Sequence, residues 1–156
     1  MTNTHPNVTR VADAAAEFGL TIEPRRFPEG TKTAADAAAA IGVQVGQIVK
    51  SLIFAVDGEV VLAYVSGANQ LDEAKLAGAA GGTKASRVDA DAVREATGFP
   101  IGGVPPFGHG LPVVLDKELL DHDSVWAAGG DGHSLFEIDP QKLAACTQAI
   151  IARVGA

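Results

Sequence analysis

The chain reads as an α+β fold, with helices layered around a curved mixed sheet. Three observations predict it: two apolar runs joined by Asp57-Gly58, helical and extended segments alternating through the rest, and no linker or long repeat between them. Val8 to Phe18 carries Val11, Ala15 and Phe18 at helical spacing and stops at Gly19, a favoured residue just past a helix end. Thr33-Ala34-Ala35-Asp36 resembles a capping box with Asp in the usual Glu position, and it opens an alanine-rich helix closed by Gly42. Ile48 to Val56 and Glu59 to Val65 read as a hairpin across a type I′ turn at Asp57-Gly58, forming the core of the sheet. After Ser66-Gly67 a helix is predicted from Asp72 to Ala80, broken by Gly81-Gly82, and then an extended piece near Ala85 to Val88. Asp89 or Asp91 caps a further helix through Thr97, ending at Gly98. Beyond a glycine-proline loop, Pro112 to Leu115, Ser124 to Ala127 and Ser134 to Ile138 are predicted strands, and Asp116 to Leu120 a helical turn. Asp139 as N-cap and Pro140 at the first helical position start a closing helix to about Arg153.

A chain of 156 residues with 47% hydrophobic content fits a single domain over 1–156, long enough to bury roughly 70% of its unfolded surface. The single cysteine, Cys146, cannot form an internal disulfide, and Met1-Thr2-Asn3-Thr4-His5-Pro6 lacks the basic start and apolar stretch of a secretory signal. Both point to the cytoplasm. The apolar run from Ile48 is interrupted by Lys50 and ended by Asp57-Gly58, short of the roughly 18 residues that cross a bilayer, so no membrane partner is expected. A net charge of −7 argues against a broad grip on a nucleic-acid duplex such as DNA. Residues 1–100 hold 9 basic and 12 acidic side chains, and 101–156 hold 3 and 7, so any nucleic-acid contact is local. Lys32, Lys50, Lys75, Lys84, Arg87 and Arg94 are the candidates for a positive rim.

Lys50 is the residue that does not fit its surroundings. In Ile48-Val49-Lys50-Ser51-Leu52-Ile53-Phe54 the alternation places Ile48, Lys50, Leu52 and Phe54 on one face, and an unpaired ammonium among apolar neighbours is costly. Something anionic is expected to meet it. Ser51, one residue on, points to the opposite face. The loop Gly102-Gly103-Val104-Pro105-Pro106-Phe107-Gly108-His109 supplies a complementary half, because glycines let a ligand approach backbone N–H groups and prolines hold the loop's shape.

Other chemical signatures are absent. Gly78-Ala79-Ala80-Gly81-Gly82-Thr83-Lys84 fails the spacing of a phosphate loop, neither GxSxG nor HExxH occurs, and Cys146 has no CxxC partner. His5, His109, His122 and His133 are too dispersed to read as a metal cluster, so neither metal nor cofactor is expected. Cys146, near Leu143, Ala144 and Ile150, and Trp126 read as packing.

Four segments together resemble the YbaK/prolyl-tRNA synthetase-associated domains, trans-editing aminoacyl-tRNA deacylases: the run from Thr33 to Ala38, Gln47 to Phe54, Gly102 to His109, and Ala127-Ala128-Gly129-Gly130. The resemblance implies a partial barrel flanked by helices. It also implies hydrolysis of the ester joining a small mischarged amino acid, alanine or cysteine, to the 3′-terminal adenosine of a tRNA, with proline tRNA the expected carrier. The family's lysine maps onto Lys50, where it holds the terminal phosphate region, and its GxxxP loop onto Gly102 through Pro106. Lys50, Gly102 and Gly103 thus form the implied catalytic set, with Ser51, Phe27, Pro106, Phe107, His109, Ala128, Gly129 and Ser134 around the substrate. Pro105 stands where many relatives carry serine. The implied partners are the tRNA acceptor end and, given the acidic balance, a synthetase or elongation factor that delivers it. Two other readings fit the residues alone: a non-catalytic module binding a nucleotide, an aminoacyl conjugate or a synthetase, and a metal hydrolase using His109 and His133.

Overall fold

The computed structural model describes residues 6–27, 33–98, 111–128 and 134–155. Strands β2 (Val49–Val56) and β3 (Glu59–Ser66) pair antiparallel in one unbroken register from Val49–Ser66 to Val56–Glu59. Between them Asp57 and Gly58 sit at φ 50° and 89°, the left-handed pair that a type I′ turn requires. The Asp57 carboxylate accepts from Thr83 N (3.0 Å), Thr83 Oγ1 (3.0 Å) and Lys84 N (3.0 Å), tying the turn to the segment that enters the next strand.

The helices start where side-chain caps allow. Helix α1 (Pro6–Glu17) ends before Gly19, whose φ is 75°. Thr33 Oγ1 accepts from Asp36 N (3.0 Å) to open α2 (Ala34–Ile41), and Gly42 closes it in the left-handed region. Asp72 caps α3 (Glu73–Ala79), Asp89 rather than Asp91 caps α4 (Ala90–Thr97), and Asp139 caps α5 (Pro140–Thr147).

The remaining strands are β1 (Arg25–Arg26), β4 (Ala85–Arg87), β5 (Val113–Asp116), β6 (Val125–Ala128), β7 (Ser134–Ile138) and β8 (Ile150–Ala152). Five form a mixed sheet in the order β4-β2-β3-β5-β8, parallel at β3–β5 and β5–β8; three form an antiparallel sheet, β1-β7-β6. A parallel bridge between Ile48 and Trp126 joins the two at the head of β2. The result is the expected α+β arrangement of helices around mixed sheets, not a closed barrel.

Each face of the hairpin has its own core. Leu62 and Tyr64 pack with Val113, Leu115, Phe136, Leu143 and the inner face of α1, Val11 and Ala15. The opposite face, with Phe54, Val56, Ala63 and Val65, packs against Leu76 and Ala77 of α3. A third cluster sets Ala37 and Ala38 of α2 on Ile48, Trp126 and Leu135, across the bridge between the sheets.

Two expectations need correction. The closing helix stops at Thr147, not near Arg153: Gln148 takes a left-handed φ of 52°, and Ile150–Ala152 become β8 beside Val114–Asp116. Two β-branched residues gain more from a ladder than from a continued helix, so Ile150 is 48% exposed on a sheet edge rather than packed beside Cys146. Phe18, read at helical spacing with Val11 and Ala15 at the end of the first helix, lies past that end and is 50% exposed.

The Asp57 carboxyl is held below the ordinary carboxylate value, first by the Lys84 N–H and then by Thr83. A carboxylate lowered in the folded state lends stability above the ordinary range and loses it as pH falls through the folded value. Asp57→Asn, which keeps a residue tolerant of positive φ, therefore lowers Tm at neutral pH and flattens its acid-side decline. Superimposable curves of Tm against pH for the two proteins would contradict this.

Candidate functional site

Among the described residues, strand β2 has an incompletely covered edge. β6 meets it only at Ile48, and β4 joins only from Phe54 to Val56, so Lys50 to Ile53 lie where the two neighbours diverge. The two-residue turn makes Val56–Glu59 a hydrogen-bonded pair, and alternation from there turns the main-chain groups of Ser51 and Ile53 away from β3, toward that gap. A cavity of about 430 Å³ occupies it, lined by Lys50 to Phe54 of β2, Gln70, Leu71 and Glu73 before and within α3, and Arg87, Val88 and Val93.

Lys50 stands at the head of this cavity. Its ammonium donates to the main-chain carbonyl of Asn69, so among the described residues it meets a dipole rather than the anion expected. Desolvation lowers its pKa from the ordinary lysine value. The carbonyl is firmly placed: Gly67 N donates to Ile48 O (2.7 Å), Asn69 N to Ser66 O (2.9 Å), and Ser66 Oγ to Gly46 O (2.8 Å). A Cβ on Gly67 would lie 2.4 Å from Val45 O, so only glycine lets this turn close on β2. The Asn69 side chain donates to Asp116 Oδ2 (3.4 Å) and to the Glu118 carboxylate, anchoring the turn to the end of β5.

The other expected residues divide into three groups. Ser51 lines the same cavity from the opposite face of the strand, and its buried hydroxyl has no partner among the described residues. Ala128 ends β6, and the parallel bridge two residues earlier, Ile48 to Trp126, sets it level with Lys50. Ser134, 5% exposed, starts β7 opposite Arg26, and Phe27 packs on the α2–Trp126 cluster. Ser51 and Ala128 thus lie by the head of β2 and Phe27 on the cluster that includes Ile48, whereas Ser134 lies on β7, beyond β6. Gly102, Gly103, Pro106, Phe107, His109 and Gly129 lie outside the described residues, as does His133. No group of three His, Cys, Asp or Glu residues among those described is arranged to hold a metal, and no described helix is long and apolar enough to cross a membrane.

Asn69, Gln70 and Glu73 are cavity or anchoring residues that residue-by-residue reading missed. The Ser66-Gly67 turn signal was present, but its carbonyl partner is a main-chain atom that no side-chain pattern reveals.

A family model of the aminoacyl-tRNA editing domain matches residues 28–146. The uncharacterized protein YwhH of Bacillus subtilis (strain 168) is 35% identical over 119 residues, covering 75% of this chain and 76% of that protein. The proline–tRNA ligase of Maridesulfovibrio salexigens is 36% identical over 132 residues, 80% of this chain but 23% of the ligase, so the chain spans under a quarter of that relative's length. A solved structure described as a candidate trans-editing enzyme for prolyl tRNA synthetase shares the fold at a TM-score of 0.92, with 42% identity over 99% of both chains.

Because desolvation disfavours the charged form of Lys50, the folded state holds that proton less tightly than the unfolded chain does. The charge therefore weakens the fold at neutral pH, and the penalty fades as pH rises through the ordinary lysine range. Lys50→Met is expected to raise Tm at neutral pH, with the gap narrowing in strong alkali. A lower Tm for this variant at neutral pH would refute the argument.

Proposed function

This chain belongs to the aminoacyl-tRNA editing domain family, and from that membership we propose that it is a trans-editing deacylase of mischarged tRNA. The observation that carries the reading is Lys50: a partly desolvated ammonium at the head of a cavity, held by a carbonyl and unneutralised by any carboxylate among the described residues. Such a group costs stability unless a ligand uses it, and the 3′-terminal phosphodiester of tRNA is an anion of the right size.

The reaction is ester hydrolysis. Water adds to the carbonyl carbon of the aminoacyl ester, the bond from that carbon to the ribose oxygen breaks, and the oxygen takes up a proton, leaving free amino acid and intact tRNA. An aminoacyl ester is already activated, so the enzyme's contribution is orientation and stabilisation of the oxyanion. Lys50 fixes the phosphate, and main-chain N–H groups of the Gly102-Gly103 loop supply oxyanion donors worth on the order of 3 kcal/mol each. The preferred substrates are small, alanine or cysteine on proline tRNA. One methylene gives a synthetase only about 1–3 kcal/mol of discrimination, which leaves such errors to a second, hydrolytic sieve. The same reading places the protein where aminoacyl-tRNA is used, in the cytoplasm, with a synthetase or elongation factor as carrier.

A panel of alanyl-, cysteinyl- and prolyl-tRNA, followed for ester loss, tests this. The wild type is expected to release alanine or cysteine and spare proline, and Lys50→Ala to lose on the order of a hundredfold in kcat/KM. Hydrolysis of none of them would overturn the reading, and full activity in Lys50→Ala would remove Lys50 from the site; saturable binding without turnover would replace the reading with a binding module.

A further inference from the structure

The strand registers place a second cation in line with Lys50. Arg25 pairs with Leu135, Leu135 pairs with Ala128, and the Ile48–Trp126 bridge sets Ala128 level with Lys50. Arg25, Leu135 and Ala128 therefore form one row across three paired strands, and Lys50 lies level with its end, past the point where β2 and β6 part. Cross-strand partners share a face, and Trp126, two residues before Ala128, shares theirs. Arg25 stacks over Trp126, so its guanidinium reaches across β7 toward β6 and the head of β2.

Arg25 is exposed, yet its guanidinium is pinned. Its Cζ lies 5.4 Å from the Phe27 ring centroid and 5.5 Å from that of Trp126, and Trp126 is itself 7% exposed and fixed in the α2 cluster. Among the described residues Arg25 makes no ion pair; Glu137, on the same face of β7, instead accepts from Ser124 Oγ (2.8 Å). A stacked guanidinium keeps its in-plane N–H groups available, and their fork matches two oxygens of a phosphate. In a chain of net charge −7, such a fixed cation is a local anion site, not part of a general positive surface.

Resting on the deacylase reading above, we infer that Arg25 is a binding residue for the single-stranded 3′ end of the tRNA, taking a phosphate upstream of the one held by Lys50. The row then acts as a ruler: Lys50 sets the terminal adenosine over the cavity, and Arg25 holds the strand leading to it.

Two substrates separate this from a structural role. Alanyl-tRNA carries upstream phosphates, whereas 2′(3′)-O-alanyl-adenosine 5′-phosphate has none beyond the one assigned to Lys50. Arg25→Ala is expected to raise KM for alanyl-tRNA about tenfold with kcat kept, and to leave the small ester's kcat/KM unaltered. Arg25→Lys, which keeps the charge but not the planar stack, should fall between. The logarithmic salt slope for binding an uncharged acceptor minihelix ending in CCA, read by fluorescence anisotropy, should become shallower by about 0.7 in Arg25→Ala. Equal losses on both substrates, or an unchanged KM and unchanged salt slope, would overturn the inference. The wild type and Lys50→Ala run alongside keep the claims apart: no hydrolysis by the wild type would remove the deacylase reading, full activity of Lys50→Ala would remove Lys50 from the site, and the minihelix slope would still decide the place of Arg25.

Discussion

The structure turns on one ammonium in a strand whose other long side chains are apolar. Lys50 is the point at which, among the described residues, β2 ceases to have a regular neighbour on one side: Ile48 is bridged to Trp126, Phe54 is paired with Arg87, and the residues between border a cavity. A leucine there would suit the fold better, since desolvation disfavours the charge and a carbonyl compensates only in part. Unfavourable chemistry at a place where the sheet opens is the pattern expected of a binding position.

The surroundings hold that position. Gly67 lets the turn after β3 press on Val45 and Ile48, and Asn69 ties the turn to Asp116 and Glu118 at the end of β5. Helix α2 packs Ala37 and Ala38 against Ile48 and Trp126, fixing the strand head from the other side. Small side chains on α2 allow close approach, and the same cluster gives Arg25 its aromatic seat. A net negative protein with a few immobilised cations suits a ligand recognised at its end, where long-range attraction matters less than placement.

Much of this was legible from local chemistry. Asp57-Gly58 demands a type I′ turn, and that turn fixed the register of the central hairpin, hence the face on which Lys50 lies. Thr33, Asp72, Asp89 and Asp139 announced four helix starts because each cap needs one side-chain oxygen in one place. What escaped depends on distant partners. The two-residue β1 has no alternation to read and exists because Ser134 and Leu135 offer a ladder. β8 was hidden in an apparent helix until β5 provided an edge for Ile150 and Ile151. The carbonyl of Asn69 that holds Lys50 is a main-chain atom, which carries no residue-type signature. The family resemblance identified the editing domain from Lys50 and the flanking motifs, while Arg25 emerged only when three registers were read together.

The central claim is that the Lys50 ammonium awaits a phosphate, and NMR of this lysine tests it most directly. With lysine labelled at Cε, the Lys50 resonance is followed as a non-hydrolysable alanyl-adenosine amide is added, once with and once without its 5′-phosphate. The account predicts a saturable shift, and a titration midpoint moved up toward or past the ordinary lysine value, only with the phosphorylated compound. An unmoved Lys50 signal under a saturating phosphorylated analogue would contradict it.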